Sequence, residues 1–162
     1  MKLLVLSDSH GNISGVRDAI RKNRDADAIV FLGDGASDIE AVSATDTEHA
    51  FFAVRGNCDF SAYLRGVPIS RAETLDLGLP IFITHGDAYG VKNGYDAILQ
   101  AGVSRGAKIV MFGHTHTPLE YYDSDTGIYL FNPGSISREY GGASFGIVTL
   151  GCGEPLFSHG RL

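Results

Sequence analysis

The chain has few cysteines, no long apolar segment and no excess of positive charge, and each shortage excludes a class of protein. Its two cysteines, Cys58 and Cys152, lie far apart and in no paired-spacing motif, which argues against a zinc knuckle or a disulfide framework. The formal net charge of -6 argues against a duplex nucleic-acid binder, because such proteins usually carry a basic face. No apolar stretch is long enough to cross a bilayer.

What the chain does contain is typical of a single globular unit. Its 162 residues are 44% hydrophobic, which is enough to bury a core without disulfides or a structural metal. The apolar start is too short for a signal peptide, and Asp8 interrupts it. We therefore expect one domain, residues 1–162, in a reducing cytoplasm and outside the membrane. Whether it forms a homo-oligomer is left open by the sequence.

Five short apolar runs each end in a small residue followed by Asp, Asn or His. The runs are residues 3–6, 29–32, 51–54, 81–83 and 109–112. They are rich in Val, Ile, Leu and Phe without alternation, which is typical of strands buried on both faces rather than of edge strands. Open sheets bind ligands in the crevice beyond the carboxyl ends of their strands, so we expect one shared site there.

The segments between the runs predict an α/β fold. Asn12 is expected to cap a helix that ends near Asn23, Ser37 to cap a short second helix, and a third helix to run from Tyr95 until Gly106. Helices between the early strands imply parallel pairing through crossovers. After residue 113 the β-prone segments 119–122, 128–131, 145–150 and 155–158 lack helix-length gaps, which favours antiparallel strands and a second sheet. Residues 73–77 alternate like a half-exposed strand that turns into the run at 81–83.

The residues that follow the runs are of the types that bind metal ions. They are Asp8, His10, Asp34, Asn57, His85, His114 and His116. A carboxylate has two oxygens and can bridge two cations, which is the role expected of Asp34. A single Asp or Asn at a strand end is more often a turn residue, but four of the six histidines occupy these ends. Together the segments predict a site for two metal ions.

The ordered series of motifs resembles the calcineurin-like metallophosphoesterase superfamily, and more narrowly its small single-domain bacterial and archaeal phosphodiesterases. The motifs that carry the resemblance are Asp8-x-His10, Gly33-Asp34, Gly56-Asn57-Cys58-Asp59, His85-Gly86 and Gly113-His114-Thr115-His116. They occur in the order of the family and at its approximate spacings, from residue 3 to the turn at 132–135. The resemblance implies a four-layer α/β/β/α sandwich with two mixed β-sheets flanked by helices.

The resemblance also implies how two divalent metal ions are held and what they do. One ion is held by Asp8, His10, Asp34 and His116, and the other by Asp34, Asn57, His85 and His114. Asp34, Asn57 and His85 are the ligands expected to take part in catalysis. The mixed oxygen and nitrogen donors make Mn the first expectation, with Ni, Fe, Co and Zn as alternatives. The implied reaction is hydrolysis of small phosphodiesters, with phosphomonoesters as a second substrate class, by attack of a metal-bridging hydroxide on phosphorus.

Two positions depart from the pattern of the superfamily. Cys58 stands where many members have a histidine that acts as an acid or touches the phosphate, although the small phosphodiesterases often share this cysteine. A small packed residue is the favoured interpretation of Cys58, and the group that protonates the leaving group stays open. Asp87 stands where relatives often have a second histidine, and it is not counted as a ligand.

Two other functions are alternatives to a metal-dependent phosphoesterase. A non-catalytic protein-binding scaffold is the alternative, because a eukaryotic retromer subunit shares the family fold and has lost catalysis; here every matched ligand is present. A two-metal nuclease is disfavoured by the lack of a basic surface and of a second domain. Surface positions are expected for His49 and His159, and also for Arg55 and Arg138, for which assistance in substrate binding is the alternative. In the family the turn at 132–135 lies close to the metals, which suggests a supporting role.

Overall fold

The computed structural model describes residues 1–137 and 142–162. Its strands are β1 (Lys2–Leu6), β2 (Ala28–Phe31), β3 (Ala50–Ala53), β4 (Tyr63–Leu64), β5 (Val67–Pro68), β6 (Ala72–Asp76), β7 (Pro80–Thr84), β8 (Ile109–Met111), β9 (Pro118–Asp123), β10 (Ile128–Pro133), β11 (Ser144–Thr149) and β12 (Leu156–Arg161). Its helices are α1 (Ile13–Lys22), α2 (Ala36–Ser43), α3 (Asp96–Ser104) and the short 3₁₀ helix Asp87–Tyr89. All five apolar runs form strands, as the sequence predicts.

Two five-stranded mixed sheets contain most of the strands. Sheet 1 has the order β12-β11-β1-β2-β3, in which β1, β2 and β3 are parallel and β11 and β12 are antiparallel to their neighbours. Sheet 2 has the order β6-β7-β8-β10-β9, in which β7, β8 and β10 are parallel and the two edge strands are antiparallel. The segment at 73–77 is the antiparallel edge strand β6, which confirms that prediction.

Side chains alternate between two cores because successive residues of a strand face opposite sides of its sheet. Leu4 and Leu6 of β1 belong to the apolar cluster that includes α1 and α2, whereas Leu3 and Val5 belong to the cluster between the two sheets. Phe82 of β7 lies in a third cluster, with α3. The layers are therefore helices, sheet 1, sheet 2 and helix. This confirms the expected four-layer α/β/β/α sandwich.

The helix boundaries follow the sequence at two of the three helices. Asn12 caps α1 and its side chain accepts a hydrogen bond from the N–H of Gly15, as expected. The third helix begins after Tyr95 and ends before Gly106, which has φ 65°. The prediction that Ser37 caps the second helix is wrong. Ser37 lies inside the first turn of α2, because the preceding loop places Gly35 at the N-cap with φ 148°.

Two further expectations need correction. The run at 51–54 was expected to be buried on both faces, but β3 is the edge strand of sheet 1 and Phe51 and Phe52 are only half-buried. The expected surface position of His49 is also wrong. His49 is buried, and its Nδ1 lies 2.8 Å from Oδ2 of Asp46. Asp46, only three residues away in the chain, supplies a hydrogen-bond partner for the buried imidazole. The ring can therefore be buried without leaving a polar atom unpaired at this contact.

Candidate metal centre

The loops that carry the predicted ligands meet at the carboxyl ends of the parallel strands of both sheets. In sheet 1 the backbone N–H of Asp8 donates to the carbonyl of Gly33 at 2.9 Å, and in sheet 2 the N–H of Gly113 donates to the carbonyl of His85 at 3.0 Å. The N–H of His114 then donates to Oδ2 of Asp8 at 3.0 Å, which joins the two sheets. Residues distant in sequence thus share one site.

The backbone at this site has an uncommon conformation. Positive φ angles occur at Asp8 (54°), His10 (44°), Asp34 (57°), His114 (66°) and His116 (58°). Non-glycine residues rarely adopt this left-handed region, which costs about 1–3 kcal/mol per residue and is found most often at functional sites. Among residues 1–137 and 142–162, Arg65 is the only other non-glycine residue with positive φ. The strain is thus concentrated on five of the seven predicted ligands.

Small residues allow these loops to approach one another. A Cβ atom at Gly56 would lie 2.7 Å from the backbone nitrogen of Asp34, and one at Gly113 would lie 2.7 Å from Oδ2 of Asp8. Such contacts are shorter than atomic packing permits. The glycines in the Gly-Asn and Gly-His motifs are therefore required by the close approach of neighbouring loops.

A first cluster contains Asp8, His10 and His116, whose ligand atoms lie within 4.8 Å of one another. Oδ1 of Asp8 is 3.1 Å from Nε2 of His116 and 3.9 Å from Nε2 of His10. The hydroxyl of Ser7 donates to the other oxygen, Oδ2, at 2.6 Å. Within the described part of the chain, Oδ1 is buried and accepts no hydrogen bond. A buried carboxylate oxygen without a donor is costly, and a cation between it and the two imidazoles would satisfy it.

A second cluster contains Asp34, His85 and His114. Nε2 of His85 lies 3.3 Å from Oδ2 of Asp34 and 3.2 Å from Nδ1 of His114. Nδ1 of His85 is 2.8 Å from the carbonyl oxygen of Leu32, so this nitrogen carries the proton that it donates there. That leaves Nε2 as the nitrogen with a lone pair for a metal ion, the arrangement common to histidine ligands.

The electrostatics of the second cluster favour an ionised Asp34 and a neutral His114, but they also favour a proton on His85 that a metal ion at Nε2 would have to replace. Burial opposes ionisation of Asp34, but its hydrogen bond and charge interaction with His85 hold the pKa of Asp34 well below its ordinary value. Burial opposes the charged form of His85 as well, yet the carboxylates of Asp34 and Asp8 raise the pKa of His85. Burial and the charge of His85 lower the pKa of His114. Near neutral pH, Asp34 is therefore ionised and His114 is neutral.

The loop after β3 places Asn57 and Cys58 beside Asp34. The backbone N–H of Cys58 donates to Oδ1 of Asp34 at 2.8 Å, and Nδ2 of Asn57 donates to Sγ of Cys58 at 3.3 Å. Both side chains are exposed, so the interpretation of Cys58 as a small packed residue is wrong. Partial burial and the neighbouring carboxylate of Asp34 raise the pKa of the Cys58 thiol to about 11 in the absence of metal. Asn57 uses its nitrogen for this contact, and its amide oxygen is the atom suited to a cation.

Asp59 organises the site, and its role was not identified from the sequence. Its Oδ2 accepts from the backbone N–H groups of Asp34 at 2.8 Å and Gly56 at 2.9 Å. Its Oδ1 accepts from the N–H groups of Gly35 at 3.0 Å and Ala36 at 2.9 Å. One carboxylate thus connects the loop after β2 to the loop after β3 and occupies the N-terminus of α2. The sequence feature that could have identified this role is the position of Asp59 in the Gly56-Asn57-Cys58-Asp59 motif.

Replacing Asp59 by Asn is expected to lower metal affinity without unfolding the protein. Asn keeps one acceptor oxygen but turns an NH₂ group towards two of the four N–H donors, which loosens the loop that holds Asp34. Partners that orient metal ligands typically contribute about 10–100-fold to affinity. Isothermal titration with Mn²⁺ on Asp59→Asn measures the loss, with the exposed Asp25→Asn as the control. Equal affinity in the two variants would contradict the role of Asp59.

The turn at 132–135 forms hydrogen bonds with the loop that carries Asp8 and with the loop that carries His114. Nδ2 of Asn132 donates to the carbonyl of Gly113 at 2.8 Å, and the hydroxyl of Ser135 donates to the carbonyl of Asp8 at 2.8 Å. His159 is exposed, as expected, but its Nε2 lies 2.7 Å from the carbonyl oxygen of Asn132 and its ring stacks on Phe131. The turn therefore connects β12 to both the first and the last ligand loop.

The remaining charged residues fall outside the two clusters. Asp87 forms an ion pair with Arg71 at 2.6 Å, which agrees with its exclusion from the ligands. Arg55 is half-buried rather than fully solvated. Arg138 lies outside the described residues. Asp38 is buried, and its Oδ2 accepts from the N–H of Gly11 at 2.9 Å, which positions the turn that carries His10.

The sandwich fold and the carboxylate and imidazole clusters at its strand ends define a class of enzyme. The chain belongs to the calcineurin-like phosphoesterase superfamily, because the model described as "Calcineurin-like phosphoesterase superfamily domain" matches residues 1–154. By family it is a metallophosphoesterase and thus a hydrolase. The family implies divalent metal ions, for which the two clusters supply candidate ligands.

Three proteins show what the chain is similar to. The phosphodiesterase YfcE of Escherichia coli strain K12 is 31% identical over 169 residues, covering 91% of this chain and 87% of that protein. A conserved uncharacterized protein of Streptococcus pneumoniae TIGR4, a predicted phosphoesterase, has a crystal structure with a TM-score of 0.78 at 23% identity, covering 99% of this chain and 88% of that one. Vacuolar Protein Sorting 29 of Cryptosporidium parvum has a TM-score of 0.75 at 16% identity, covering 99% and 97%. At these identities the two structures show a shared fold.

No helix among the described residues is long and apolar enough to span a bilayer.

Proposed function

We propose that the protein is a dinuclear metal-dependent phosphodiesterase that hydrolyses small phosphodiesters and, as a second class, phosphomonoesters. One observation carries this proposal: the buried Oδ1 of Asp8 accepts no hydrogen bond from residues 1–137 or 142–162, and it faces the imidazoles of His10 and His116. The second cluster adjoins it, since Nε2 of His85 is 3.9 Å from the same oxygen. Two adjacent groups of carboxylate and imidazole donors suit two cations better than one.

The proposed ligand sets follow the two clusters. Asp8, His10, Asp34 and His116 hold one ion, and Asp34, Asn57, His85 and His114 hold the other. Asp34 supports both sets, because its carboxylate lies in a cluster with His85 and in another with His10. The ligands are oxygen and nitrogen atoms, which suits Mn²⁺ first, with Ni, Fe, Co and Zn as alternatives.

Charge favours a phosphoester substrate at this site. Two divalent ions, the carboxylates of Asp8 and Asp34, and one ionised water leave a net charge of roughly +1. The positive centre would attract an anion although the whole chain carries -6. A cavity of about 390 Å³ lies beside it, lined by Lys92, Tyr95, Thr115 and four further residues. Thr115 separates the two ligand histidines of the last loop, so the cavity suits a group attached to the bound phosphate.

The reaction that suits this arrangement is direct hydrolysis. When bound by these residues, two divalent ions would supply Lewis acidity to the phosphoryl oxygens and would lower the pKa of a coordinated water molecule. Asp34, Asn57 and His85 hold the centre in the orientation needed for in-line displacement, and the bond to the leaving alcohol breaks as the bond to water oxygen forms. The leaving alkoxide takes a proton, and no covalent intermediate with the protein is required.

Metal removal tests the proposal directly. Dialysis against a chelator is expected to abolish hydrolysis of a chromogenic aryl phosphodiester, and Mn²⁺ is expected to restore it more fully than Ni²⁺, Co²⁺, Fe²⁺ or Zn²⁺. The same panel with an aryl phosphomonoester measures the second substrate class. Full activity in the chelated protein would contradict metal dependence. Failure to bind any of these ions would instead favour a protein-binding scaffold of the same fold.

We further propose that residues 1–162 form one domain in a reducing cytoplasm. The superfamily match covers 1–154, and β12 at Leu156–Arg161 pairs with β11 as part of sheet 1. Both cysteines are free thiols, which suits a reducing compartment. Limited proteolysis of the purified chain would give one resistant core if the domain proposal holds.

A further inference from the structure

A third group of metal-ligating atoms lies between the two clusters, and it includes a sulfur atom. His10, Asp34 and Cys58 each offer one ligand atom, and the three atoms lie within 4.8 Å of one another. The group shares His10 with the first cluster and Asp34 with the second. The thiol of Cys58 therefore lies where both proposed metal positions meet.

The position of Cys58 leaves its sulfur available. The backbone N–H of Cys58 is held by Oδ1 of Asp34 at 2.8 Å, which fixes the main chain, while the side chain itself is exposed. Sγ accepts a weak hydrogen bond from Nδ2 of Asn57 at 3.3 Å, and the thiol also interacts with the carboxylate of Asp34. The sulfur thus lies within 4.8 Å of the ligand atoms of His10 and Asp34 on a main chain that is already fixed.

Metal ions differ sharply in their preference for such a sulfur. Thiolate ligands select soft or borderline ions such as Zn²⁺ and Cd²⁺, whereas Mn²⁺ prefers carboxylate, carbonyl and water oxygens. The sets proposed above contain oxygen and nitrogen donors alone, and neither includes a sulfur. The sulfur of Cys58 adds a ligand that binds Zn²⁺ and Cd²⁺ well and Mn²⁺ poorly.

We propose that Cys58 is a metal-selective ligand, which joins His10 and Asp34 in binding a thiophilic divalent ion and is not used by Mn²⁺. On binding, the ion replaces the thiol proton, which is released to solvent. The inference rests on the proposed metal centre and adds to it a determinant of which metals the site accepts. It assigns a role to the exposed thiol that differs from proton donation to the leaving group.

Cobalt spectroscopy on the full chain tests the inference without relying on activity. Titration of the metal-free protein with Co²⁺ is expected to produce an ultraviolet sulfur-to-cobalt charge-transfer band. Cys58→Ser is expected to lose that band, and Cys152→Ser, which removes the other exposed thiol, is expected to keep it. Serine is nearly isosteric with cysteine and position 58 is exposed, so the variant should fold, and a thermal melt verifies this.

Affinity measurements separate sulfur coordination from a general disturbance of the site. In Cys58→Ser the affinity for Cd²⁺ is expected to fall by about tenfold or more, while the affinity for Mn²⁺ stays within about twofold of the parent. Absence of the band in the parent protein, its persistence in Cys58→Ser, or an equal loss of Cd²⁺ and Mn²⁺ affinity would each overturn the inference. If the parent protein shows the cobalt band but binds no Mn²⁺, the result contradicts the proposed dinuclear manganese centre and leaves the role of Cys58 as a sulfur ligand standing.

Discussion

Asp34→Asn is expected to lose nearly all phosphodiesterase activity while the protein remains folded. Asp34 is 3% exposed, and Asn has almost the same shape, so the loop can stay in place and the N–H of Cys58 can still find an acceptor. The NH₂ group, however, cannot donate a lone pair to a cation. Residues that only orient ligands contribute about 10–100-fold, so loss of the bridge should exceed about 100-fold in kcat/KM and should weaken binding of the second equivalent of Mn²⁺.

The matched control for this variant is Asp125→Asn. Asp125 is exposed in the turn between β9 and β10, and the same chemical change there is expected to leave the rate unchanged. Metal content by elemental analysis should show two ions per chain in the control and fewer in Asp34→Asn. Full turnover by metal-reconstituted Asp34→Asn would refute the bridging role.

Phe131→Ala is expected to have the largest effect on stability. Phe131 is fully buried in the cluster between the sheets. Its ring lies 5.2 Å from that of Phe157 and 4.8 Å from that of His159, so a side chain of sheet 2 packs on the last strand of sheet 1. Deletion of a buried Phe side chain costs about 3–5 kcal/mol, a large part of the roughly 5–15 kcal/mol that stabilises a typical domain.

Equilibrium unfolding in urea, with chelator present so that metal binding adds nothing, measures this loss. Phe60→Ala is the control, because Phe60 is 94% exposed and its removal should change stability by no more than about 0.5 kcal/mol. A loss below about 1 kcal/mol in Phe131→Ala would show that the two sheets do not depend on this contact.

Local patterns were sufficient to predict the strands of the two five-stranded sheets and most of the helix boundaries, but not the short strands β4 and β5. Five of the strands are apolar runs that are followed by a polar residue, and the cap at Asn12 needs a partner only three residues away. The candidate ligands could be named for the same reason, since the chain places them directly after those runs. Assignment of ligands to particular ions came from the resemblance to a family and is still a proposal.

Features that depend on strand order were missed or mistaken. Whether Phe51 lies in a central or an edge strand depends on which strands flank it, and no residue near it encodes that β3 ends sheet 1. The exposure of Cys58 follows from the path of a loop around Asp34, and the burial of His49 depends on distant segments such as the one at Arg24, whose carbonyl oxygen lies 3.4 Å from Nε2 of His49. Cysteine and histidine occur in both buried and exposed positions, so the residue types of Cys58 and His49 alone do not predict which applies.

The sequence by itself determined which side chains are available for metal chemistry and in which order they follow the strands. Only the tertiary structure decided which of them share a cluster, that no donor in the described part of the chain reaches Oδ1 of Asp8, and that Asp59 holds two loops with one carboxylate. The physical reason is the separation along the chain between the residues that interact. An apolar run is a local pattern, whereas the hydrogen bonds of Asp59 to residues 23 to 25 positions away exist only once β2 and β3 lie side by side in sheet 1.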